Sequence, residues 1–127
     1  MSSVVLDSSA VIAFVCREPG GENVAKYLPG ALISSVNLAE VFSKSADKGV
    51  TLEALKWMVH GLQLKVVPFD EEAAFLVGSL REPTRAAGLS LGDRACLSLG
   101  ILQIKPVITK EKSWLNTNLG VEIQLIR

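Results

Sequence analysis

Short unbroken apolar runs alternate with longer stretches whose apolar residues recur every three or four positions. Val4-Val5-Leu6 is the first such run, and it ends at Asp7. A run without period-two alternation suits a strand covered on both faces, as in a parallel sheet. Ser8 or Ser9 is then the expected cap of a helix through Val11, Ile12, Phe14 and Val15, which Pro19-Gly20-Gly21 ends. A second short helix is expected around Glu22 to Tyr27, before Pro29-Gly30 turns the chain. Ala31 to Ser34 reads as the next strand, and Ser35 as the cap of a helix from Val36 to Lys48 that Gly49 closes. Thr51 caps the following helix, which runs to about Leu62.

Lys65 to Pro68 gives a third strand, and Asp70, Glu71 and Glu72 form an acidic start that suits the dipole of the helix after it. That helix is expected to reach about Glu82, where Pro83 stops it. Thr84 to Gly88 reads as a basic loop, Ser90 as the cap of a strongly apolar helix through about Leu102, and Pro106 to Thr109 as a fourth strand. Val121 to Leu125 supplies a fifth. Strands alternating with helices predict an α/β fold, an open and mostly parallel sheet of about five strands with helices on both faces. Its ligand site belongs at the carboxyl ends of the strands.

Composition narrows the class without naming a partner. With 127 residues, 49% hydrophobic and 20% charged, residues 1–127 fit one ordinary globular domain, and the composition argues against intrinsic disorder. Thirteen basic residues balance 13 acidic ones, so any nucleic-acid role must come from local charge placement. Cys16 and Cys96 sit among apolar neighbours with no Cys-x-x-Cys spacing and read as small buried hydrophobes in a reducing cytosol. The N-terminus lacks the basic region of a signal peptide, and the longest apolar run there, Ala10 to Cys16, falls far short of the roughly 20 residues of a membrane span. The expectation is a soluble, cytoplasmic protein with no membrane partner.

The candidate chemistry lies in four carboxylates. Asp7 ends the first strand, where open α/β sheets place ligands, although an Asx-turn or helix cap explains it as readily. Glu40 falls on the polar face of its helix with Asn37, Lys44 and Asp47, and periodicity alone makes it a surface residue paired with Lys44. Asp93 stands third in a helix that is apolar on nearly every side, where it serves either a Ser-x-x-Asp capping box or a site. Glu111 follows the fourth strand, in a charged turn or facing Asp7 across the sheet edge. Converging unpaired carboxylates repel one another unless a hard divalent cation lies between them. Mg²⁺ or Mn²⁺ suits such donors, and the chemistry then implied is phosphodiester hydrolysis.

Three segments carry a resemblance: Val4-Val5-Leu6-Asp7-Ser8-Ser9, then Asn37-Leu38-Ala39-Glu40-Val41, then Gly88-Leu89-Ser90-Leu91-Gly92-Asp93-Arg94-Ala95-Cys96-Leu97. In order and spacing they resemble PIN-domain ribonucleases of the VapC toxin type, over nearly the whole chain. The resemblance implies a three-layer α/β/α domain that gathers acidic residues around Mg²⁺ or Mn²⁺ and cleaves RNA endonucleolytically. It makes Asp7, Glu40 and Asp93 metal-site residues, and it implies a homodimer and a cognate VapB-type antitoxin that blocks the cleft. The family usually presents Thr-x-Asp at its last motif. Here Thr109-Lys110-Glu111 stands instead, with one extra methylene on the carboxylate.

Around these acids the Ser8 and Thr109 hydroxyls are candidates to aim a carboxylate, with helix capping and strand termination as the competing roles. Arg94 is a candidate phosphate contact or a helix-surface ion pair, and His60, the only histidine, reads as structural. Lys44, Lys48, Arg81, Arg85, Lys110 and Lys112 also flank the site elements, and aromatic content of 6% gives little scope for an extended stacking platform. Two other readings stand beside the nuclease. A non-cleaving PIN-like module that binds RNA or a partner is motivated by Glu111. A receiver-type phosphoacceptor domain fits Asp7 and Thr109-Lys110, but lacks an acidic pair after the first strand and leaves Asp93 unexplained.

Overall fold

The computed structural model describes residues 3–127. Strands β1 (Val5–Leu6), β2 (Leu32–Ser34), β3 (Lys65–Val67), β4 (Val107–Thr109) and β5 (Ile123–Leu125) form one sheet in the order β3-β2-β1-β4-β5. Every pairing is parallel. Helices α1 (Ser8–Val15), α2 (Ser35–Asp47) and α3 (Leu52–Leu62) follow the first two strands, and α4 (Glu71–Ser79), α5 (Arg81–Thr84) and α6 (Leu91–Gln103) lie between β3 and β4. Two 3-10 segments, Gly21–Tyr27 and Lys112–Asn116, complete the order.

The unalternated apolar strands are covered on both faces, as their pattern requires. Leu6, Ile33 and Ile108 join Ala10 to Ala13 of α1, Val41 of α2 and Leu55 and Val59 of α3 in one core. Val5, Leu32 and Val107, each one residue earlier, pack with Cys96, Leu97 and Leu99 of α6 and with Trp114 in the other. Successive strand residues thus feed opposite layers, which gives the three-layer α/β/α architecture. At position 21 a side chain would strike the Ala13 carbonyl, so Gly21 lets the first 3-10 segment lie against α1.

Several local expectations are corrected. The cap of α2 is Ser34, whose Oγ accepts from Val36 N–H at 3.2 Å, while Ser35 Oγ accepts from Phe69 N–H at 3.0 Å and ties α2 to the segment after β3. Pro83 does not stop a helix that reaches Glu82. The chain breaks earlier, at Ser79, and Pro83 lies in the first turn of α5, where its missing N–H removes no helical bond. Thr84 ends α5 instead of opening a loop, buried with its hydroxyl donating to the Leu80 carbonyl at 2.6 Å. Cys96 is buried, but Cys16 is only partly so. Among the described residues no helix is long and apolar enough to cross a membrane.

The strand order locates a ligand crevice. From β1 the chain moves to β2 and β3 on one side, then returns to place β4 and β5 on the other. The switch point therefore lies between the carboxyl ends of β1 and β4, where open α/β sheets bind ligands. A receiver domain uses the order 2-1-3-4-5, which this sheet does not have.

Candidate active site

At the switch point, register sets the first contact. Val5 pairs with Val107 and Leu6 with Ile108, so the next residues, Asp7 and Thr109, come side by side. Thr109 Oγ1 donates to Asp7 Oδ2 at 2.9 Å, and Ser9 Oγ, from the first turn of α1, donates to the same oxygen at 2.6 Å. These hydroxyls are themselves oriented. Ser9 accepts from Lys110 N–H at 3.2 Å and Thr109 from Glu111 N–H at 3.0 Å, so each turns its proton toward the carboxylate. Asp7 holds the N-cap position of α1, but its side chain makes no capping bond. The hydroxyl that reaches Asp7 from α1 belongs to Ser9; that of Ser8, though buried, is not one of its partners.

Glu40 is not paired with Lys44. Asn37, one turn earlier on α2 and fully buried, donates from Nδ2 to Glu40 Oε1 at 2.9 Å and to the Gly92 carbonyl of α6 at 2.9 Å. Its amide therefore clamps Glu40 between α2 and α6. Gly92 leaves room for it there, because a methyl group at that position would push the Glu40 carboxylate aside. Polar-face periodicity grouped Asn37 with Glu40 but gave no sign that the amide faces inward. Only the crossing of α2 and α6 shows it.

The capping-box reading of Asp93 holds. Ser90 Oγ accepts from Asp93 N–H at 3.2 Å and Asp93 Oδ2 accepts from Ser90 N–H at 2.9 Å, a reciprocal capping box. The box fixes the carboxylate at the start of α6, near enough to Asp7 for its charge to be felt there. Arg94 is turned inward. Only 9% exposed, it donates from Nη1 to the Val77 carbonyl at 3.0 Å and from Nε to the Ser90 carbonyl at 3.3 Å, pinning the carboxyl end of α4 to α6. His60 is exposed on α3 and lines a shallow recess with Leu38 and Phe42.

The electrostatics show which acids converge. Burial, and then the charges of Asp93 and Glu40, push the Asp7 carboxyl up to about 6, against the downward pull of the Ser9 and Thr109 hydroxyls. Cys96 reports the same field, since burial and the charges of Asp7, Asp93 and Glu40 push its thiol well up. Glu111 follows β4 on the same edge, but its charge is not among those acting on Asp7. The charges of Glu40 and Asp93 thus reach Asp7, while Glu111 stands at the start of a segment anchored by the buried Trp114.

Among the described residues none of the four carboxylates is paired with Lys or Arg. Nor do any three His, Cys, Asp or Glu side chains close into a cage around a metal ion. Open carboxylate oxygens with uncompensated charge fit a hard cation that keeps much of its water, as Mg²⁺ does. Asp7, Glu40 and Asp93 are the acids that would offer such oxygens at this edge.

The fold has counterparts. No match was found among curated proteins by sequence comparison. The chain is similar in structure to a toxin-antitoxin complex from Klebsiella pneumoniae (TM-score 0.75, 15% identity, covering 98% of each chain). It is also similar to a DNA-bound VapBC from Salmonella typhimurium (TM-score 0.73, 20% identity, covering 100% of each chain). A third likeness is to VapBC-1 from nontypeable Haemophilus influenzae (TM-score 0.72, 15% identity, covering 98% of each chain). These likenesses establish the shared fold. A family model described as PIN domain matches residues 4–118, a span that takes in all four carboxylates, and by that match the chain belongs to the PIN domain family.

Proposed function

We propose that the protein is a divalent-metal-dependent endoribonuclease, the toxin of a VapBC-type toxin–antitoxin pair, with Asp7, Glu40, Asp93 and Glu111 as its catalytic acids. One observation carries the reading: three carboxylates converge at the sheet's switch point, with no Lys or Arg paired to them among the described residues. An acidic cleft repels a phosphodiester by itself, so a bound Mg²⁺ or Mn²⁺ supplies the charge stabilisation and water activation that hydrolysis needs.

The chain's own part is positioning. Ser9 and Thr109 aim Asp7, Asn37 and Gly92 fix Glu40, and the Ser90 capping box fixes Asp93, each acid on a regular element or at its N-cap. Glu111, on the segment after β4, is the fourth acid of the proposed site. The structural neighbours are toxin–antitoxin assemblies, which supports a VapB-type antitoxin as partner and a cytoplasmic setting. A protein partner also has apolar ground to cover. Trp57 on α3 is 83% exposed and borders a groove with Phe14, Val15, Met58 and Leu62. This groove suits antitoxin contact, and the homodimer is the assembly we expect of the toxin.

The test is cleavage of a mixed cellular RNA pool by wild type and Asp93→Asn prepared identically, with Mg²⁺, with Mn²⁺ and with chelator. Discrete products that need metal and vanish in the variant are expected. Equal cleavage by both proteins overturns the site, and no cleavage by wild type under any metal moves the reading to a PIN-like binding module.

A further inference from the structure

Beside the acidic cleft lies its electrostatic opposite. Lys110, Lys112 and Arg127 line a recess of about 610 Å³ with Glu18 and Pro19. Lys110 belongs to both places, because its N–H donates to Ser9 Oγ, the hydroxyl that holds Asp7. The recess is therefore built against the cleft wall by the backbone that aims its central carboxylate. Its single carboxylate is already engaged: Lys48 Nζ lies 2.8 Å from Glu18 Oε2, while Lys110 Nζ stands 3.8 Å from Oε1, beyond hydrogen-bond reach. Oε1 is buried without a hydrogen-bond partner. The Lys48, Lys110, Lys112 and Arg127 side chains thus face one acidic side chain, in a chain whose formal side-chain charge is zero. Lys110, Lys112 and Arg127 are exposed, so their charges are available to a ligand.

We propose that this recess binds the phosphate backbone of an exposed RNA strand as it leaves the carboxylate cleft. The inference rests on the nuclease reading for the identity of the polyanion, and on the placement of the cations for the path. A strand whose scissile phosphate sits at Asp7 passes over Lys110, and its neighbouring phosphates meet Lys112 and Arg127. Contacts of this kind hold register and give affinity without reading sequence. Glu18 works against the strand, and a phosphate takes its place as the partner of Lys110.

The test measures binding of a short labelled single-stranded RNA in chelator across a salt series, together with kcat and KM for cleavage in Mg²⁺. The proteins compared are wild type, the triple variant Lys110→Ala/Lys112→Ala/Arg127→Ala, Glu18→Gln, and Lys56→Ala as a control on α3. The triple variant is expected to bind about tenfold or more weakly and to lose about 2 from the slope of log K against log salt, the share of three phosphate contacts on a single strand. Its KM rises while kcat holds. Glu18→Gln is expected to tighten binding about twofold to fivefold through loss of one repulsive charge, and Lys56→Ala to match wild type. A triple variant with wild-type affinity, slope and KM overturns the recess and leaves the nuclease reading standing. A wild type that cuts no RNA, yet shows these shifts in binding, overturns the nuclease reading and upholds the recess.

Discussion

Asp7 and Glu18 are two carboxylates on either side of helix α1, and the chain treats them oppositely. Glu18 lies within reach of Lys48 and Lys110, and the Lys48 hydrogen bond holds its carboxyl below the usual range. Asp7 is 3% exposed, has only two hydroxyls for partners, faces the charges of Asp93 and Glu40, and is pushed up to about 6. The chain has basic residues to spare nearby and does not turn one toward Asp7. Arg94, beside Asp93 in sequence, points into the seam between α4 and α6. The difference teaches that the acidic cleft is left short of positive charge by the chain itself, which is the charge the proposed metal would supply.

The comparison breaks most sharply by chemistry. Asp93→Asn keeps the side chain's size and removes its charge, so kcat for RNA cleavage is expected to fall about 10²- to 10³-fold, the scale of losing one preorganised electrostatic stabiliser. Single-turnover cleavage in excess Mg²⁺ measures it, and the same assay on Glu18→Gln, which lies outside the cleft, should show no comparable loss of kcat.

The next effect is on stability in the absence of metal. A carboxyl raised from 3.8 to about 6 in the folded chain binds its proton more tightly there than when unfolded. The favourable contribution is fully present below pH 4 and is lost as pH rises through 6, a swing of roughly 3 kcal/mol. Asp7→Asn removes the titration. It should therefore be more stable than wild type at pH 7 in chelator, and the two should converge near pH 4, as read by urea denaturation. Added Mg²⁺ should stabilise wild type more than the variant.

A smaller effect tests the positioning of Glu40. Asn37→Ala releases the carboxylate from its clamp and Gly92→Ala pushes a methyl group against it. Each is expected to lower Mg²⁺ affinity or activity about 10- to 100-fold, the range for groups that orient a ligand. Calorimetric titration of Mg²⁺ checks this, with circular dichroism to confirm the fold.

Much of this arrangement is written in local pattern. The apolar runs Val4-Val5-Leu6 and Val107-Ile108 fixed β1 and β4, and their register alone places Thr109 beside Asp7. The Ser90-x-x-Asp93 spacing marked both a capping box and a site, and the structure shows the box beside the converging charges. What stayed hidden depends on tertiary contact. Ser8 and Ser9 are equivalent as sequence, and only the direction of the first turn of α1 picks Ser9 for Asp7. Arg94 next to an acid suggests an outward cation until α4 supplies a carbonyl for it. The inward turn of Asn37 needs the crossing of α2 with α6, and Pro83 signals a stop with equal force whether it ends one helix or begins another.

At the small end, Glu18→Gln should shift the melting temperature only slightly, and added salt should shrink the difference, as befits a partly exposed pair.

The most direct test of the central claim is NMR titration of the Asp7 side-chain carboxyl in metal-free protein and again with Mg²⁺. The account predicts a midpoint near 6 without metal and a marked fall when Mg²⁺ is added, with Glu18 low and unmoved in both. An Asp7 midpoint in the ordinary aspartate range that ignores Mg²⁺ would contradict it.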